Sequence, residues 1–376
     1  MPGPPTLSSD RRASDNARGA RRPTRHGGSL RNALRLSIGA LVSLACLYFA
    51  TRGTDWGTVG VLLAGARPLW VLLLVLACAA VLWVRTLRWR ILLRPLGEVP
   101  LQPALSATVI GFGAGGVLPF RLGELVRPAL IARKTGMKMS AALSSVVLER
   151  LFDMLIVLAC FLIVSFTQPV PAGMRRGALV VAVGLVIGLA LLRAMQRNPA
   201  RGERLVGRLA RPLPPRLGHA LQDLSRSFLA GLGALADTRT VLLVLAYSVY
   251  VWGAIALTFL FGLLALGIGV PPFSGALTIM VTVAAFVFLP QAPGFVGTWQ
   301  AACVLALHDF YGVSKDLAVG YSLLTWIVSM GVNVGLAGLF LAREDLSLAQ
   351  LVRAAGEVET AAAADETPAV GREQRR

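Results

Sequence analysis

A chain of 376 residues with 55% hydrophobic residues, 15% charged residues and a mean hydropathy of +0.68 has too little polar surface for soluble domains of that length, so it is read as membrane-embedded. Its 37 Lys and Arg against 19 Asp and Glu give a formal charge of +18, informative through where the excess falls. Cys46, Cys78, Cys160 and Cys303 each lie in an apolar run without CxxC spacing, and His26, His219 and His308 are scattered; no disulfide framework, metal, cofactor or His-based triad is expected.

In chain order, residues 1–30, rich in Arg, Gly, Pro and Ser, read as a disordered tail. A helix needs about 20 mostly apolar residues to cross a core of about 30 Å. Six runs qualify: 34–50, read as an uncleaved first helix, then 69–84, 141–166, 178–195, 240–270 and 317–341. Segments 1–35, 85–103 and 193–239 carry eight, four and nine Arg, whereas 51–68 and 167–177 carry two each, which puts the rich segments and both termini in the cytoplasm. Within 196–239, Leu217, Leu221, Leu224, Phe228 and Leu232 recur at helical spacing and predict an amphipathic surface helix. Residues 346–376 read as a second polar, disordered tail.

Two further apolar stretches are too short to cross alone: 104–118, and 275–289 continued by 301–307. A full crossing at 104–118 would carry Arg121, Arg127, Arg133, Lys134 and Lys138 outside; a re-entrant hairpin turning near Pro119 returns them to the cytoplasmic face. The second stretch has a similar corner of Pro290, Pro293, Gly294 and Gly297. Pro119 with Gly123 and Pro293 with Gly297 form a faint repeat, and paired broken segments entering from opposite sides often mark a central binding site. The expected fold is all-α: a polytopic helical membrane bundle over residues 31–345, of about six full spans plus two short re-entrant helical hairpins, or about eight spans if these cross.

Charges inside a bilayer are costly and are functional candidates by default. Glu149 and Asp153, four residues apart, share a helical face about 13 Å inside the membrane if the helix enters near Ser140, with Arg150 about 100° round. Arg121, Glu124 and Arg127 recur every three residues on the returning limb of the first hairpin. Functionally, the arginines would hold a lipid phosphate while the acids orient them. Structurally, Arg150 would pair with an acid on a neighbouring segment and lock the packing, and the hairpin charges would anchor at headgroup level. Gly111-Phe-Gly113-Ala-Gly115-Gly116 matches G-x-G-x-x-G but lacks the strand–helix context of a dinucleotide site; close helix packing explains these glycines and Gly331-x-x-x-Gly335 better. The Arg-rich first tail suits anionic lipid rather than nucleic acid.

The run Gly116 to Arg127, containing P-x-R-x-G-E-x-x-R, followed by the E-R-x-x-D of Glu149, Arg150 and Asp153, resembles the transmembrane region of lysylphosphatidylglycerol synthases, a flippase-like family. The resemblance covers roughly residues 31–345 and includes a late P-G-x-x-G turn at Pro293, Gly294 and Gly297, where Thr298 stands in place of the expected acid. It implies a multi-pass protein of the bacterial plasma membrane that moves lipid between leaflets. The best-known members also carry a soluble aminoacyl transferase domain, which the polar segment 346–376 does not provide, so lysyl transfer is not expected.

Three functions remain open: a lipid translocase handling a phospholipid or other anionic headgroup; an integral-membrane enzyme on a lipid phosphate or polyprenyl-linked sugar, with Glu149 or Asp153 as acid or base; and a non-catalytic accessory subunit. The first ranks highest, with no catalytic residues. Membrane lipids are the expected partners, with a second copy or a separate lipid-modifying enzyme left open. Of the many arginines, only Arg121, Arg127 and Arg150 are expected to take part in recognition; the rest read as topology signals.

Overall fold

The computed structural model describes residues 26–118, 122–166, 168, 172–197, 232–287 and 292–344. The expected tail 346–376, most of 1–30, and most of the amphipathic segment 196–239 lie outside these residues. Among the described residues there is no strand. The α-helices are α1 (His26–Thr51), α2 (Trp56–Ala64), α3 (Pro68–Leu93), α4 (Leu101–Val117), α5 (Leu122–Thr135), α6 (Met139–Val164), α7 (Ala172–Arg197), α8 (Thr238–Ala265), α9 (Pro272–Val287), α10 (Thr298–Val304) and α11 (Lys315–Arg343).

Helices α1, α3, α6, α7, α8 and α11 are 26 to 29 residues long, about 39 Å or more, and coincide with the six expected spans. Four of these regions are long and apolar enough to cross a membrane on composition alone: Pro68–Leu96, Arg175–Ala194, Thr238–Ala265 and Lys315–Arg343. Helix α6 has the length but carries Glu149, Arg150 and Asp153 in its middle. Helix α7 exposes Leu179, Val180, Val183, Ile187 and Leu191, an apolar surface suited to acyl chains rather than water. The protein is thus a helical bundle of the membrane.

Local chemistry sets several boundaries. Asp55 caps α2, accepting from the Gly57 N–H at 2.9 Å and the Thr58 hydroxyl at 2.6 Å, which hold its carboxyl below the usual range. Asp237 caps α8 through the Thr240 N–H, and Pro68 opens α3, where its missing N–H costs nothing. Two boundaries differ from expectation. Helix α1 begins at His26, inside the expected tail, and α3 continues through Leu93 instead of ending near Val84. Ile91, Leu92 and Leu93 are buried, so the apolar face of α3 outlasts its arginines.

Helices α4 and α5 form the first hairpin. Its open end is closed by Lys134, which donates to Ser106 at 2.9 Å and pairs with Glu344 just beyond α11. Near its tip the backbones almost touch: a Cβ on Gly123 would lie 2.2 Å from the Gly115 nitrogen and 2.4 Å from the Gly111 oxygen. The second hairpin runs from α9 through the turn Pro293–Phe295 to α10, with Tyr311 hydrogen-bonded to Ser274 and Thr278 at its open end, close to where α11 begins. The two hairpins therefore enter from opposite ends of α11, and their corners meet: a Cβ on Gly294 would lie 3.4 Å from the Gly116 oxygen.

Close packing explains Gly111, Gly113 and Gly116 but not Gly115, where a Cβ would meet nothing within 4 Å among the described residues. A Cβ on Gly113 would sit 2.2 Å from the Ala337 Cβ, and one on Gly116 would sit 3.2 Å from the Met330 sulfur. The parallel expectation for Gly331 and Gly335 is overturned, because among the described residues a Cβ on either meets nothing within 4 Å. Helix α11 meets α4 with the face of Met330, Asn333 and Ala337, and Gly331 lies about 100° away. Gly123→Val is expected to cost at least ~2 kcal/mol and to abolish a monodisperse size-exclusion peak, whereas Gly331→Leu should stay within about 0.5 kcal/mol of wild type. Equal thermal stability of the two variants would refute this packing.

Candidate functional site

Helical spacing brings one set of charges together. On α3, Arg85, Arg88 and Trp89 share a face; on α6, Glu149 and Asp153 do; on α8, Ser248 and Trp252 do; Arg127 arrives from α5. Arg88 is fully buried and joins both acids of α6: its Nη2 is 3.1 Å from Glu149 Oε1, and its Nη1 is 2.6 Å from Asp153 Oδ1. The same Nη1 donates to the Ser248 hydroxyl at 3.0 Å. Trp252 Nε1 donates to Asp153 Oδ1 at 2.9 Å.

Glu149, also fully buried, is shared. Arg127 donates to both of its oxygens at 3.1 Å, a planar two-point pair that Lys could not reproduce. The Arg127 guanidinium lies 4.3 Å from the Trp89 ring centre and 5.1 Å from that of Phe112, and Trp89 is held by a 3.0 Å bond from its Nε1 to Ser145. An unpaired ion at this depth would cost several kcal/mol, which the alternation of two guanidinium groups and two carboxylates avoids.

Outside this closed quartet the network opens. Arg150 reaches Asp153 Oδ2 and Glu124 Oε1, both at 3.4 Å, and its side chain and that of Glu124 are 35% and 40% exposed. The depth of the site follows from chain position. Glu149 is ten residues into α6, about 15 Å along its axis, and Ser248 is ten residues into α8.

Five of the expected charged residues, Glu124, Arg127, Glu149, Arg150 and Asp153, therefore form one network, while Arg121 lies outside the described residues. Arg150 does pair with an acid on a neighbouring helix. The second corner has another position: Gly294 and Pro293 lie in the turn against α4, and the Gly294 carbonyl accepts from Trp326 at 2.7 Å. A Cβ on Gly297 would be 2.0 Å from the Ser43 oxygen, and Thr298, where an acid was expected, donates to the Phe295 carbonyl at 3.0 Å and closes the turn.

Arg127 is engaged by Glu149, and Arg88, assigned to a loop, is the centre of the network. In the sequence, Arg85, Arg88 and Arg90 read as a helix end at Val84; Ile91-Leu92-Leu93 beyond Arg90 is the signal that the span continues. Ser248 and Trp252 carried no signal of their own, since a single Ser or Trp in an apolar span is unremarkable until its partner is known.

Chemically, both acids are engaged by cations. Glu149 faces Arg88 and Arg127, and Asp153 is held by Arg88, Arg150 and the Trp252 indole. Among the described residues no group of three His, Cys, Asp or Glu is placed to hold a metal. The arrangement can position cations and exclude water, and it presents charge at one half-open edge.

Fold and site together define a polytopic helical membrane protein built round an intramembrane ion network. The chain belongs to the family described as the lysylphosphatidylglycerol synthase transmembrane region, whose model matches residues 36–337. It is also similar to a protein of Haloferax volcanii named glycosyltransferase AglD, 25% identical over 365 residues, covering 85% of this chain and 56% of that protein. The chain thus spans just over half the length of that relative.

Removal of one partner should discriminate core from edge. Arg88→Met leaves two acids short of a cation and is expected to destabilise by about 3–5 kcal/mol, whereas Arg150→Gln, at the exposed edge, should cost no more than ~1 kcal/mol. Thermal unfolding in nanodiscs measures both, and similar losses would contradict the hierarchy of closed quartet and open edge.

Proposed function

We propose that the protein moves a phospholipid, or another lipid with an anionic headgroup, between membrane leaflets. The observation that carries this reading is the charge network within the helical bundle, closed at Arg88 and Glu149 and half-open at Arg150 and Glu124. A headgroup needs polar contacts while its tails stay in lipid, and charge held at depth supplies them. Two hairpins that enter from opposite ends and touch at Gly116 and Gly294 support the reading, since such corners let two halves rock about a central site. Family membership supports a role in lipid biology.

In this reading the protein resides in the plasma membrane with both termini in the cytoplasm, where the Arg-rich segments meet anionic lipid. Its partners are membrane lipids, with a second copy or a lipid-modifying enzyme as candidates for assembly. Arg88, Arg127, Glu149 and Asp153 hold the architecture, and Arg150 with Glu124 faces the headgroup.

The name of the Haloferax volcanii relative favours a second reading, chemistry on a lipid-linked sugar with Glu149 or Asp153 as acid or base. The saturation of both carboxylates by arginine ranks it lower. Purified protein in liposomes is expected to accelerate exchange of fluorescent phosphatidylglycerol between leaflets, read by dithionite quenching, with at least about tenfold loss in Glu124→Gln/Arg150→Gln at unchanged folding. No acceleration across a panel of anionic lipids would exclude translocation. A glycolipid product lost in Asp153→Asn would favour the enzyme.

A further inference from the structure

Among the described residues, the charges of the network do not cancel. Arg88 and Arg127 balance Glu149 and Asp153, and Arg150 balances Glu124, which leaves Arg85. Among the described residues no carboxylate lies within ion-pair distance of Arg85 and no acceptor takes its protons, and its Nε is buried without a partner. Its guanidinium instead lies 4.4 Å from the Phe112 ring centre. Arg85 lies one helical turn before Arg88 and Trp89 on the same face of α3, so it belongs to the same neighbourhood.

Depth distinguishes this cation from a headgroup-level anchor. Arg85 is eight residues before Leu93, about 12 Å from that end of α3, and a snorkelling side chain would turn back toward the end. Phe112 is eleven residues beyond Leu101, about 17 Å into α4 from the same side, so the guanidinium reaches inward. A cation that faces an aromatic ring at that depth keeps most of its donors free, and a surplus positive charge there needs an anion.

We infer that Arg85 is the anion-binding residue of the site and holds the phosphate of a ligand, with Phe112 as its floor and the half-exposed Arg150 as the second cation. A guanidinium offers paired donors that match two phosphate oxygens, and one monoanionic phosphodiester cancels the single surplus charge. The inference deepens the lipid reading and rests on it for the source of the phosphate. A soluble phosphate ester has the same chemistry.

The test separates the two sources. Full-length protein in detergent is mixed with phosphatidylglycerol or with diacylglycerol of the same chains, and retained lipid is read by native mass spectrometry. Wild type is expected to keep phosphatidylglycerol in preference; Arg85→Gln should lower that retention about tenfold without changing diacylglycerol, and Arg85→Lys should recover part of it. Arg85→Gln is expected to melt like wild type, since no ion pair is lost. Competition by millimolar glycerol phosphate, lost in Arg85→Gln, would keep the Arg85 site but assign it to a soluble ester and remove the lipid source. Equal retention by wild type and Arg85→Gln, or no preference of wild type for the phosphate-bearing lipid, overturns the inference. Because retention needs no transport, failure of leaflet exchange counts against translocation and leaves the Arg85 result standing.

Discussion

The burial of Arg88 between Glu149 and Asp153 is the constraint on which the bundle depends. A guanidinium without water must find carboxylates, and these come from one helix at four-residue spacing, so α3 and α6 have one workable register against each other. The Ser248 hydroxyl, which accepts from Arg88, and the Trp252 indole, which donates to Asp153, add α8 to that register. Glu149 carries the constraint further: its second guanidinium, Arg127, belongs to α5, so the position of the first hairpin is tied to the same buried acid.

The hairpins follow a related rule. Backbone that leaves a helix at membrane depth is tolerated only where protein covers it or water reaches it. The corner at Gly294 is covered by Gly116, Trp326 and Ser43, and the glycines of both hairpins are small because backbone approaches backbone there. The positive φ of Gly294 and Gly297, 74° and 84°, lets the chain turn in that space. Apolar clusters about Trp89, Ile110 and Leu148, and about Phe259, Ile279 and Tyr321, then brace one hairpin each.

Rigid core and open edge have different uses. A network neutral throughout and closed throughout would only hold helices together. Among the described residues this one is neutral at its centre, half-exposed at Arg150 and Glu124, and one cation in surplus at Arg85, which on the proposed reading makes it a scaffold that presents charge to a ligand. The enzyme reading asks the buried acids to exchange protons while arginines occupy them; the transport reading asks only that they keep the arginines in place.

Much of the architecture was legible in the sequence, since a span is a local property: about 20 apolar residues satisfy their own backbone whatever surrounds them. The six long helices, the two short hairpins with their Pro and Gly corners, and the shared face of Glu149 and Asp153 all follow from local pattern. The role of Arg88 and the surplus at Arg85 do not, because an arginine near a helix end reads the same whether it snorkels to the surface or turns inward. The idle face of Gly331 and Gly335 is a similar case, since spacing shows that a helix has a small face but not where its neighbour lies. Sequence alone determined which segments enter the membrane and where they break; tertiary structure decided which charges are spent on each other and which remain free, because pairing depends on distances between helices that no single helix encodes.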